Sequence, residues 1–236
     1  MIHAITGTDT EVGKTVATAV LAARALARGA RAAIYKPAQT GVLPGQPGDV
    51  QDAAGWLGHP ERLGTAEGVR LCAPMAPLDA ARCAGFADPA EVLPPLAEHV
   101  RRIRELAAAY DEVLVEGAGG LLVELTSAGE TIADLAAAVS AELVVVTRPD
   151  LGTLNHTALT LEACAARGFS RGTLVLGSYP DRPTQLAECN LAGLRALATR
   201  FGWSFAGRLP ANLVRDPARR PEALAAAARA LAPIPA

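Results

Sequence analysis

Four apolar runs in this chain, IHAIT (2–6), EVLVEGAGG (112–120), ELVVVTRPD (142–150) and GTLVLGSYP (172–180), each lead directly into a turn. Helical stretches of roughly a dozen residues separate such runs. Strands that are apolar along their whole length are buried on both faces, so this alternation implies an α/β protein: a mostly parallel sheet with helices on both faces. In sheets of that kind ligands sit at the carboxyl ends of the strands. Every unusual loop here follows a strand, so all of them are expected to meet on one edge.

The first strand carries the most informative loop. Ile5 to Thr15 reads ITGTDTEVGKT, a strand, a glycine turn, then Gly-Lys-Thr opening an Ala/Val/Leu helix from about Lys14 to Arg28. Backbone N–H groups around Glu11, Val12, Gly13, Lys14, Thr15 and Val16 would cradle phosphate oxygens. Lys14 would reach the terminal phosphates and the Thr15 hydroxyl could ligate magnesium. That context predicts the P-loop NTPase fold. The spacing is unusual, because five residues separate Gly7 from Gly13 and one of them is the acidic Glu11. A carboxylate beside a phosphate cradle makes sense if the cationic group of a second substrate docks there.

After Gly29, the run RAAIYKP (31–37) completes a βαβ unit and ends in Lys36, a second cation aimed at the same edge, where phosphoryl transfer builds charge on oxygens. Magnesium favours several oxygen ligands. Glu116, ending the buried strand EVLVEG, and Asp49, the expected N-cap of a short helix after a Gly/Pro-rich loop (43–48), are candidates beside Thr15, with Asp52 as the alternative to Asp49. A charged helix is expected near Glu91 to Ala109. After Asp181 come a helix, a strand and a closing helix, Pro221 to Ala232, stopped by Pro233 and Pro235.

The 236 residues suit one domain, 1–236, rather than two. Half are apolar, 4% are aromatic and the formal charge is −2, which leaves no basic footprint for nucleic acid or an anionic membrane. No run reaches the length of a membrane span and no charged leader precedes the first strand, so a cytoplasmic protein acting on small molecules is expected. Cys72, Cys83, Cys164 and Cys189 form no C-x-x-C pair and have no histidines at zinc-ligand spacing, so they read as plain thiols. His3, His59, His99 and His156 read as structural.

Taken together, TGTDTEVGKT (6–15), YKPAQTG (35–41), VEGAGGLLVEL (115–125) and DLGTLNHTALT (150–160), in this order and at these separations, resemble the dethiobiotin synthetase family of the biotin pathway. The likeness runs from Ile2 to about Pro180, and the six-residue step from Gly7 to Gly13 is the form that family uses. The resemblance implies an ATP- and Mg2+-dependent cyclo-ligase acting on 7,8-diaminopelargonate and CO2. Lys14 would lie on the phosphates, Lys36 at a carbamate and the γ-phosphate, and Thr40 nearby. Thr15, Asp49 and Glu116 would hold magnesium, with Gly117, Ala118 and Gly119 beside the nucleotide. Thr10 and Glu11 would line the diamine pocket. Gly152, Thr153, Leu154 and Asn155, with free N–H groups at a helix start, would receive the substrate carboxylate across a homodimer interface.

One departure bears on the base. Several relatives carry Asn-Asp where this chain has Gly177-Ser178, and glycine has no side chain to read a base edge. Backbone groups near Gly177, Ser178, Leu209, Pro210 and Ala211 would hold the base, with relaxed selectivity among triphosphates. Two other readings share the fold. A partner-regulated ATPase switch would have a lysine five residues before Lys14, where this chain has Asp9. A glutamine-dependent amidoligase would usually need a further domain for which 236 residues leave no room.

Overall fold

The computed structural model describes residues 1–234. Its seven strands are β1 (Ile2–Gly7), β2 (Ala32–Thr40), β3 (Leu63–Leu71), β4 (Glu112–Gly120), β5 (Glu142–Thr147), β6 (Thr173–Tyr179) and β7 (Ser204–Pro210). They form one sheet in the order β3-β2-β4-β1-β5-β6-β7, every pairing parallel. The helices are α1 (Lys14–Ala27), α2 (Asp49–Trp56), α3 (Pro77–Cys83), α4 (Leu96–Ala109), α5 (Ile132–Ala138), α6 (Thr153–Ala166), α7 (Gln185–Arg200) and α8 (Arg220–Ala230).

Two apolar layers enclose the sheet. On one face α1, α2 and α8 pack through residues such as Ala19, Ala22, Val50 and Leu224. On the other, α4 to α7 contribute Ile103, Leu135, Leu161 and Leu194. The alanines buried in α1 keep that helix thin, so that α8 comes close enough for the Arg24 guanidinium to donate to the Leu231 carbonyl at 2.5 Å and that of Ala232 at 2.8 Å. No helix among the described residues is long and apolar enough to cross a membrane.

Several boundaries differ from the sequence expectation. The helix expected near Glu91 begins at Leu96. Pro94 and Pro95 cannot supply the amide hydrogens a running helix needs, and Pro89–Glu91 forms a separate 3-10 turn. The closing helix spans Arg220–Ala230, and Pro235 lies outside the described residues. The edge strand β3 went unread, because LGTAEGVRL has two glycines and alternates weakly. Gly64 and Gly68 are there for space: a Cβ at 64 would fall 2.3 Å from the Tyr110 hydroxyl, and one at 68 would fall 2.3 Å from the Pro37 carbonyl.

Candidate active site

β1, β2 and β4 end side by side on the carboxyl edge, and the second halves of β2 and β4, with the loop and helix after β1, line a cleft of about 750 Å³. Thr10, Glu11, Gly13, Lys14, Thr15 and Val16 line it from the loop after β1 and the start of α1. Lys36 and Thr40 enter from β2, Asp49 from α2, Glu116, Ala118 and Gly119 from β4, and Ser178 from β6. Most of the expected site is therefore brought together. Val12 is buried in the core and Gly117 packs against Ile132, so their side-chain positions face away from the cleft.

The phosphate loop holds its shape through unusual backbone. Gly13 has φ 97° and Glu11 φ 57°, a region that disfavours side chains. A Cβ on Gly7 would meet the Asp9 carbonyl at 2.8 Å and the Val12 side chain at 2.7 Å, so the turn closes only around a glycine. Glu11 is exposed at the cleft lip.

Lys14 is buried and donates to the Asp9 carbonyl at 2.9 Å. Loss of hydration lowers its pKa to about 8, with the neighbouring Lys36 charge acting in the same direction against Glu116 and Asp49. Lys36 is 4% exposed yet stays firmly charged. Burial disfavours its ammonium, but Glu116 at 3.0 Å and Asp49 at 2.5 Å outweigh that and raise its pKa. Glu116 also accepts the Thr15 hydroxyl at 2.8 Å on the same oxygen, Oε1. Its other oxygen, Oε2, is buried with no partner.

Asp49 is the first residue of α2. The N-cap is Gly48, which corrects the expected cap at Asp49. That places the Asp49 carboxylate on Lys36, whereas Asp52, one turn further on, does not line the cleft. Gln39 was missed by sequence reading. It is 3% exposed, its side-chain carbonyl accepts the Asp49 N–H at 2.8 Å, and the signal that could have found it is a polar residue at the carboxyl end of a buried strand.

Two expected groups stand apart from this cleft. At the start of α6 the N–H of Thr153 already bonds the Asp150 carbonyl at 3.2 Å, so the run Gly152–Asn155 is not wholly free, contrary to expectation. Leu209 is buried in the core. Ala211 gives its N–H to the Tyr179 carbonyl at 2.8 Å, and Pro210 has none to give, so that N–H is not free for a base. Gly177 touches the loop instead: a Cβ there would lie 2.1 Å from the Val12 carbonyl. No histidine lines the cleft among the described residues.

A family profile described as an AAA domain matches residues 3–218. The ATP-dependent dethiobiotin synthetase BioD of Rhodococcus jostii (strain RHA1) is 46% identical over 89% of this chain and 87% of that protein. The protein of the same name from Mycobacterium avium (strain 104) is 49% identical over 82% of each. Among solved structures, the MinC:MinD cell division protein complex of Aquifex aeolicus superposes with a TM-score of 0.55 at 12% identity, over 97% of this chain and 94% of that one. FtsY of Mycoplasma mycoides gives 0.52 at 18%, over 95% and 67%. Those two likenesses establish the fold, that of P-loop NTPases. The identity with the curated relatives, over more than four-fifths of the chain, goes further: the chain belongs to the dethiobiotin synthetase family.

Proposed function

We propose that this chain, as one ligase domain, closes the urea ring of dethiobiotin from 7,8-diaminopelargonate, CO2 and ATP, releasing ADP and phosphate. The observation that carries the reading is the buried Lys36 cation held between Asp49 and Glu116 beside Lys14 and Thr15. Two lysines side by side in the cleft support a path for a phosphoryl group between them.

One substrate amine adds to CO2 and gives a carbamate. A carbamate oxygen attacks the γ-phosphorus, the bond to the ADP oxygen breaks, and the second amine then attacks the carbonyl carbon and expels phosphate. Lys36 fixes the carbamate against the γ-phosphate, with Thr40 beside it. Lys14 exchanges the Asp9 carbonyl for phosphate oxygens and stabilises the charge that builds on them. Glu11, at the lip with Thr10, attracts the diamine.

The hydroxyl of Thr15 and the carboxylates of Asp49 and Glu116 form a hard-oxygen set that suits magnesium, and the unpartnered Glu116 Oε2 fits that use. The ion would neutralise phosphate charge there. A homodimer, with α6 of the partner receiving the substrate carboxylate, is supported by the exposed Leu151 just before that helix and the exposed Leu154 and Leu159 within it. The cytoplasm is the proposed location.

The test is phosphate release with Mg2+ and bicarbonate, with and without diaminopelargonate, while dethiobiotin is followed by mass. Diamine-dependent release matching product supports the reading; release indifferent to the diamine overturns it. Because Gly177 offers no side chain to a base, turnover with ATP, CTP and GTP should differ by less than about 10²-fold, the level reached where no designed hydrogen bond discriminates. A strong ATP preference would defeat that part.

A further inference from the structure

Asp49 reaches Lys36 from a helix that follows an eight-residue loop, 41–48, and a loop of that length does not by itself fix a carboxylate to a fraction of an ångström. Two side chains outside the cluster do. Gln39, buried at the end of β2, accepts the Asp49 N–H through Oε1 and donates through Nε2 to the Thr40 carbonyl at 3.1 Å. Arg70 lies directly opposite Gln39 in the β2–β3 register and grips the loop from the edge strand. Its guanidinium donates to the Gln46 carbonyl at 2.6 Å and to Gln51 Oε1 at 3.1 Å. It is oriented by Glu67 through bonds of 3.0 and 2.7 Å. Gln51 Oε1 in turn accepts the Gly48 N–H at 2.9 Å, one residue before Asp49.

Gly48 fits this latch for a steric reason. A Cβ there would lie 2.7 Å from Gln39 Oε1 and 2.9 Å from Glu67 Oε1, so any side chain would push the carboxamide off the Asp49 amide. The Asp49 amide is thus set by Gln39 of β2, and the Gly48 amide by Gln51 of α2, which Arg70 of β3 holds in turn; β2 and β3 themselves pair along their length.

We infer that Gln39 and Arg70 are positioning residues that hold Asp49 against Lys36 and so set how tightly the cluster takes a divalent cation. The inference rests on the proposed reading of Asp49 as a metal ligand. Groups that orient a ligand typically change metal affinity by about 10–100-fold when removed.

The test uses the full chain with a non-hydrolysable ATP analogue, and Mn2+ as the probe, its free concentration read by electron paramagnetic resonance. Gln39→Met and Arg70→Met are each expected to weaken Mn2+ about tenfold or more. The metal-free affinity for the analogue should stay within about twofold, and kcat at saturating Mg2+ should fall far less than the Mg2+ half-saturation rises. Arg70, at the sheet edge and half-buried, guards against a folding defect in the Gln39 variant. Asp49→Asn separates the two layers of the argument. Weak Mn2+ in Asp49→Asn with unchanged Mn2+ in both latch variants overturns the latch alone. Unchanged Mn2+ in Asp49→Asn overturns the ligand reading and the latch with it. Equal losses of kcat and metal affinity in the latch variants, with the analogue also bound poorly, overturn the positioning role in favour of a structural one.

Discussion

The two edges of the sheet bury ionisable groups in different ways. At the amino edge, His3 and Glu112 are buried, Glu112 pairs with Arg28, and Arg24 holds the carbonyls that follow α8. Burial lowers the pKa of His3 more than Glu112 raises it, so the ring is held neutral. At the carboxyl edge, one oxygen of Glu116 serves both Thr15 and Lys36 while the other has no partner, and the Lys14 ammonium rests on a backbone carbonyl. The amino-edge arginines join chain segments far apart in sequence. The carboxyl-edge groups are held ready to change partner. Removing the first kind should cost stability and removing the second should cost turnover.

The largest effect that would sharpen this contrast is Lys14→Ala. It should lower kcat/KM about 10³-fold, in the range found when one donor to developing charge is lost, with little change in thermal midpoint. A wild-type-like rate would break the contrast at its strongest point.

Next is pH. The Lys14 pKa of about 8 lies below that of a free lysine, because burial penalises its charge. The unprotonated form therefore gains ground above pH 8 in the free protein, while the unfolded chain keeps its proton to about 10.4. The burial cost is present in full below pH 8, and stability should rise between the two values. Bound phosphate restores the proton, so affinity for a non-hydrolysable ATP analogue should fall as pH rises past 8, with a proton taken up on binding. Calorimetry at pH 9 in buffers of different ionisation enthalpy reads that uptake directly; none at all would mean that Lys14 stays charged.

The smallest effect belongs to the amino edge. Arg24→Ala removes two charge-assisted bonds to the carbonyls of Leu231 and Ala232. It should lower stability by about 2 kcal/mol, roughly 4–8 °C in midpoint, and leave kcat unchanged. A loss of turnover without loss of stability would erase the distinction between the edges.

Much of this was legible in the sequence because it is local. The glycine loop, the lysine of β2 and the glutamate of β4 each declare themselves within one strand and its turn, although both strands run four residues beyond the points where the sequence suggests they end, and parallel topology brings these segments together. What was illegible depends on partners distant in the chain. β3 hides because its glycines answer to Tyr110 and Pro37, and Gln39 matters only through Asp49. The amides of Thr153 and Ala211 look free in sequence and are occupied in the fold by carbonyls that no pattern announces.

Sheet order has a consequence for the time at which the site comes into being. β1 and β2 are not neighbours; β4 lies between them and brings Glu116, which bonds both Thr15, in the first turn of α1, and Lys36. A chain emerging from the ribosome exposes Thr15 and Lys36 within its first 36 residues but must reach residue 116 before the carboxylate that bonds both is available. Until β4 slides between β1 and β2, Thr15 and Lys36 have no common partner in Glu116, so an assembled cluster reports that the centre of the sheet has closed.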